Sequence, residues 1–347
     1  MKRPFALLLC ATFALLKGAQ AVSAEQLNEV LTNASQVLSL SAEEASRGIK
    51  ISIKGVVTAA EPNWGGRFFV QDSSGGVFVE NISNTQPSPG DVVAVSGISY
   101  PGGYAPIISQ PRWEKEGTAP LPAAKPVEIE QLMSGAEDSQ RVEISGIVRS
   151  TQVSGATLEF ELASGGSRIH VYEPIPPGMD PQSLIGSKVR VKGTAAAAYN
   201  APLRHLVAVD VYVPLLEDCV VEKTAAPDPF GEALTPINNI GQYQGGRSLG
   251  YRVHVKGIVT YQRKGEDIFI RDATGGLQIK SSQILSLPPG DVVEAVGFPG
   301  VENFLPVLED SIFRRTGEPR IKVSPKNVPI AELLEGLLMT TTLFAWV

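Results

Sequence analysis

Two stretches 200 residues apart carry the residue types from which a phosphate cradle or a metal loop is built: FFVQDSSGGVFVE, Phe68 to Glu80, and IFIRDATGGLQIK, Ile268 to Lys280. In each, an Asp (Asp72, Asp272), a small polar pair and two glycines lie between apolar runs. A phosphate cradle feeds a helix N-terminus, whereas each Gly-Gly here leads into a strand-like run. A calcium loop needs several alternating oxygen ligands, and one carboxylate is present. What the residues suit is a hairpin loop, with Asp bonding the loop's own backbone and Gly where φ turns positive. The middle of the chain keeps the turn as Ser164-Gly165-Gly166 without the Asp. The motif is expected to be structural.

Other chemistry is sparse. His170, His205 and His254 have no second His or carboxylate at ligand spacing, and no HExxH or Cys/His pair occurs. No Ser stands in a GxSxG context, and Cys219 has no His nearby in sequence. The sequence therefore names no catalytic residue, no metal ligand and no cofactor, and the expectation is a protein that is not an enzyme. An exported hydrolase is the weaker alternative, with no nucleophile–base pair to support it.

The chain opens with Lys2 and Arg3, an apolar run PFALLLCATFALL and the small residues AQAVSA, the order of a secretory signal peptide. Cleavage is expected after Ala24, with Ala21 as the alternative. Without this segment 27 basic residues face 36 acidic ones, a charge of about −9. An acidic exported protein repels polyphosphate, so no nucleic-acid partner is expected. The expected location is periplasmic or extracellular. Contact with a membrane is expected only through an uncleaved signal or a missing C-terminal segment.

The elements that must position any site are repeated. SIKGVVT (Ser52 to Thr58) returns as HVKGIVT (His254 to Thr260), and SPGDVVAVSG (Ser88 to Gly97) as PPGDVVEAVG (Pro288 to Gly297). Phe68–Gly117 aligns without a gap on Ile268–Gly317. Between them RVEISGIVRS, GATLEFELASGGSRIHVY, GSKVRVKG and HLVAVDVYV form a diverged middle copy. Each copy reads as five short strands, starting near 51, 68, 76, 91 and 106 in the first, with one helical turn at DPQSLIG (Asp180 to Gly186) in the second. The predicted fold is all-β: three tandem five-stranded OB-like Greek-key barrels with short connecting helices. An SH3-like barrel also has five strands, but a Gly in the middle of strand one (Gly55, Gly146, Gly257) favours OB.

The predicted organisation is a signal peptide 1–24, a helical lead-in 25–47, barrel 1 at 48–118, linker and short helix 119–138, barrel 2 at 139–221, linker 222–249, barrel 3 at 250–318 and a tail 319–347. Ser41 with Glu44 reads as a capping box. In the tail, KNVPIAELLEG (Lys326 to Gly336) repeats KPVEIEQLMSG (Lys125 to Gly135), so the end reads as the start of a truncated fourth repeat; the alternative is a natural strand capping barrel 3.

An OB barrel binds through the loops between strands one and two and between strands four and five. In copy one these offer Trp64, Arg67, Tyr100 and Tyr104; in copy two, Tyr199 and Arg204; in copy three, Tyr261 and Phe304. Aromatics in Gly/Pro-rich loops suit stacking on a ligand or a protein surface, though they could equally cap the barrel's open end.

The motifs SAEEASRGIKISIKGVVT, FFVQDSSGGVFVE, PGDVVAVSG, AYNAPLRHLVAVDVYVP and VPIAELLEG resemble the tandem OB-like extracytoplasmic region of bacterial membrane sensors, mostly sensor histidine kinases, over about residues 30–336. That resemblance implies an exported sensory module recognising a small ligand, a glycan or an envelope protein. It implies no ligand residues, and the transmembrane helix and kinase module of those sensors have no counterpart in these 347 residues. A free-standing periplasmic adaptor is the alternative, and an OB-type nucleic-acid binder the weaker one.

Overall fold

The structure is a computed structural model that describes residues 30–240, 242, 250–303 and 305–324. The signal-peptide segment, the tail helix, the start of a fourth repeat and Phe304 lie outside the described residues.

In barrel 1, β1 (Lys50–Ala59), β2 (Phe68–Gln71), β3 (Gly76–Val79), β4 (Asp91–Tyr100) and β5 (Ile107–Thr118) close in the order β1-β2-β3-β5-β4. These starts match the predicted ones within a residue. All pairings are antiparallel except β3 with β5, the signature of an OB-type Greek key. Barrel 3 repeats the order with β13 (Val253–Arg263), β14 (Asp267–Arg271), β15 (Gly276–Lys280), β16 (Val292–Glu302) and β17 (Leu305–Arg315). Alternate strand positions point inward, so each barrel fills with its own apolar set, such as Phe68, Val93 and Ile108 in barrel 1 and Ile270, Val293 and Phe313 in barrel 3. Each fully buried Phe or Ile of this kind contributes roughly 2–3 kcal/mol.

Barrel 2 adds strands to the ring. Its members are β7 (Arg141–Ser154), β8 (Thr157–Ser164), β9 (Ser167–Pro174), β10 (Lys188–Asn200) and β11 (His205–Tyr212), with β6 (Lys125–Pro126) beside β7 and β12 (Cys219–Lys223) beside β10. β11 and β12 pair with successive halves of β10, so the single fifth strand of barrel 1 is here broken in two. Pro214 lies in the break and has no N–H for the ladder. The helical turn predicted at DPQSLIG is a 3-10 turn, Pro181–Leu184.

The strand-one glycine has a steric cause. A Cβ on Gly55, Gly146 or Gly257 would stand 2.6, 2.7 or 2.9 Å from the carbonyl oxygen of Gln71, Ala163 or Arg271 on strand two. Strand two therefore crosses strand one at backbone contact, which only glycine permits.

Ahead of each barrel the chain first pairs in parallel with strand one, through Leu31, β6 or Leu234. It then forms a short helical turn: α1 (Ala34–Leu38), α3 (Ile129–Leu132) or a 3-10 turn (Ile237–Asn239). A further turn, α2 (Ala42–Ala45), carries the predicted capping box between Ser41 and Glu44.

Here the repeated Asp finds its work. Asp72 Oδ1 accepts the N–H groups of Ser74 and Gly75, closing the hairpin, while Oδ2 accepts from Ala34 N at the start of α1 (2.8 Å). Asp272 does the same for Thr274 and Gly275, with Oδ2 accepting from Ile237 N (2.9 Å). The turn expectation holds, and the carboxylate also ties the lead-in turn to the barrel. Partial burial of Asp272 acts to raise its carboxyl, but the hydrogen bonds from Ile237, Thr274 and Gly275 outweigh it and hold the group below the usual value. Its stabilisation is thus present above pH 3.8, the ordinary value, and is lost as pH falls through the lower folded value. Asp272→Ala should cost about 1 kcal/mol at pH 7 in urea unfolding, and the gap to the parent should close at strongly acid pH.

Candidate functional site

The loops expected to meet a ligand meet one another. Arg204, held at φ +54° after β10, reaches from barrel 2 to the loop after β4 of barrel 1. Its Nη1 donates to the Gly102 carbonyl (2.6 Å), and its Nη2 to those of Pro101 (2.8 Å) and Tyr104 (3.1 Å). The ring of Tyr199 lies against Gly103, where a Cβ would come within 1.7 Å of it. Tyr104 Oη stands 3.5 Å from the Ser134 carbonyl, just after α3.

Trp64 ends a 3-10 turn, Pro62–Trp64, and packs edge-on against Phe69 of barrel 1 (5.7 Å) and Tyr212 of barrel 2 (4.7 Å). Tyr212 stacks on Tyr172 at 4.9 Å. Arg67 Nη1 donates to the Trp64 carbonyl at 2.9 Å and fixes that turn. Gln71 Oε1 accepts from Arg141 N (2.9 Å), and Gly76 N donates to Gln140 Oε1 (3.2 Å). Trp64, Tyr104, Tyr199 and Arg204 thus build a seam between barrels 1 and 2. Tyr100 and Tyr261 remain about half exposed.

Barrels 2 and 3 meet differently, around an open cleft of about 1050 Å³. Arg168 on β9 joins the two barrels, with Nη1 on Glu161 (2.9 Å) and Nη2 on Glu309 (2.6 Å) and Asp310 (3.1 Å) of β17. Next to this network the Phe298 side chain of β16 is fully buried. The guanidinium carbon of Arg149 (β7) lies 4.1 Å from its ring centroid and that of Arg252 lies 5.3 Å away. Both arginines line the cleft, along with Ser150, Thr151, Gln182 and Ser281.

Neither arginine forms an ion pair or hydrogen bond among the described residues; Nε and Nη1 of Arg149 and Nε of Arg252 are buried without an acceptor. Burial, then the neighbouring Arg168 charge, pushes the Arg149 guanidinium down, against the pull of Asp310, Glu309 and Glu161. Burial does the same to Arg252, against Asp310.

Sequence reasoning missed this pair, although the repeats carry a signal for it. Arg149 stands where copies one and three have the buried Thr58 and Thr260, and Arg252 stands where copy two has Arg141. Arg141 is buried too, but Asp218 Oδ2 meets its Nη2 at 2.6 Å. Arg252 has no such partner.

A second buried group lies under β12. The Glu173 carboxyl is 2% exposed, bonded to the Cys219 thiol, and its Oε2 meets no donor. Burial pushes it up to about 7, and the same burial, with the Glu173 charge, pushes the Cys219 thiol up. Among the described residues no three His, Cys, Asp or Glu side chains are placed to hold a metal ion.

Two outcomes test this geometry. Arg204→Ala removes three charge-assisted bonds and leaves three carbonyls at the seam, so it should cost about 2–3 kcal/mol in thermal or urea unfolding. For Glu173 the carboxyl is raised in the fold, so wild-type stability is full below pH 4.5 and falls as pH rises through about 7. Glu173→Gln should match the parent at pH 4.5 and exceed it by about 2–3 kcal/mol at pH 8.

No protein-family model and no curated protein matches the chain. Among solved structures it is similar to asparaginyl-tRNA synthetase from Pyrococcus horikoshii, at 16% identity over 31% of this chain and 25% of that one, with a TM-score of 0.24. Aspartyl-tRNA synthetase from Entamoeba histolytica gives 17% identity over 30% and 23%, TM-score 0.24. A murine DNA-binding protein bound with double-stranded DNA gives 11% over 50% and 99%, TM-score 0.25. The chain thus aligns with about a quarter of the length of the synthetases it matches. The expectation of no nucleic-acid partner is corrected by these comparisons. A protein bound with double-stranded DNA stands among the similar structures.

Proposed function

We propose that this chain is an exported, non-catalytic binding module whose recognition surface is the cleft between barrels 2 and 3. One observation carries the reading. The loop faces of barrels 1 and 2 are used against each other, while the cleft keeps two guanidiniums without acceptors beside hydroxyl-bearing walls. A roomy concavity with a few convergent polar groups and perturbed titratable side chains is the usual form of a ligand site.

The basic, apolar and small-residue order of the first 24 residues supports export to the periplasm or beyond. The resemblance to the extracytoplasmic region of sensor histidine kinases supports a sensory role, in which ligand capture between two barrels changes how they sit. A free-standing periplasmic adaptor would use the same cleft.

The test is a thermal-shift screen of the purified chain against organic acids, uncharged oligosaccharides and 20-base DNA, single- and double-stranded. Hydrogen exchange then follows on any hit. A ligand of the cleft should raise the Tm and slow exchange at Ser150–Thr151 and Ser281–Ser282. Protection confined to the outer faces of the barrels, with the cleft unchanged, would overturn the assignment.

A further inference from the structure

Three cations and three carboxylates line the cleft, but they are not all directly paired. Its acidic side chains are Asp180, Glu266 and Asp310, and its other cation is Lys280. Asp180 caps the turn at Gln182 N (3.0 Å), Glu266 pairs with Arg263 (3.3 Å), Asp310 with Arg168 (3.1 Å) and Lys280 with Glu302 (2.6 Å). Each of these has a partner inside the chain. Arg149 and Arg252 do not, although both are partly buried and lie within 5.3 Å of one ring centroid.

Burying a guanidinium without an acceptor is costly, and a ring face offsets only part of that. At Arg141 the scaffold meets part of the same cost with a buried carboxylate from its own chain, Asp218 on Nη2, while Nε is left without an acceptor. At Arg252 the carboxylate is missing and an opening of about 1050 Å³ takes its place.

We infer that the cleft binds an oxyanion, the carboxylate or phosphate of a small ligand, with Arg149 and Arg252 as donors and the Phe298 ring as the platform that holds them. A guanidinium presents its N–H groups in a planar fork that matches both groups, which an ammonium does not. The serine and threonine hydroxyls of the walls suit a ligand with a polar body. The inference rests on the cleft being the recognition surface and adds the class of ligand.

The experiment titrates the full chain with sodium phosphate, sodium citrate and sodium chloride at matched ionic strength, reading the Tm and then the Kd by calorimetry. Phosphate or citrate should raise the Tm where chloride does not, and the stronger of the two identifies the group. The double substitution Arg149→Met, Arg252→Met should abolish the rise while leaving the anion-free Tm equal or higher, because the buried N–H groups without acceptors are gone. Arg149→Lys keeps the charge without the fork and should weaken binding at least tenfold, which keeps the test open if the double variant fails to fold. Equal responses to all three salts, or an undiminished response in both variants, would overturn the inference. If an uncharged oligosaccharide instead protects the cleft equally in parent and double variant, the cleft is a site but not for an oxyanion. If nothing protects the cleft, the recognition surface itself is wrong.

Discussion

Everything in this chain depends on one backbone contact made three times, strand two lying across strand one at Gly55, Gly146 and Gly257. With less than 3 Å between the place a Cβ would occupy and the opposing carbonyl, the first strand can turn from one side of the barrel to the other without losing its ladder. The ring order, the parallel third-to-fifth pairing and the position of every loop follow from that closure. The loops then emerge at fixed places, which is why a seam as specific as Arg204 on three carbonyls can form between barrels that differ in sequence.

The two junctions are built from different physics. Between barrels 1 and 2 the contacts are aromatic edges and a guanidinium saturated by backbone acceptors, so the polar groups named there are satisfied within the chain. Between barrels 2 and 3 the contact is ionic, Arg168 against Glu309 and Asp310, and beside it lie unsatisfied donors. Saturated interfaces are rigid and inert, whereas unsatisfied ones have free energy to gain from a visitor.

Much of the fold was legible because its signals are local. The strands of copy one follow from alternation and turn residues, and Ser41 with Glu44 forms the box their spacing announces. The partner of a loop is not local. Trp64, Tyr199 and Arg204 are the loop residues the OB pattern points to, but no spacing says that one barrel's loop faces the next. The broken fifth strand of barrel 2 was not legible: β12 resumes the ladder on β10 beside the buried Arg141–Asp218 pair, which joins residues 77 positions apart. The cleft arginines could be found only by reading the copies against each other, where an Arg replaces a buried Thr and a second Arg lacks the Asp its counterpart has.

That broken strand bears on local opening. β12 is five residues long and joins barrel 2 along a single edge, and Val221, Thr224 and Ala225, in and just beyond it, form one wall of the cleft. Barrel 2 closes its ring through β10 on β7, so β12, outside that ring, can peel without opening β7 to β11. One wall of the cleft is thus an edge strand outside the closed ring. A short strand held along one edge frays at lower free energy than a closed ring, so that wall of the cleft can open without the barrel unfolding.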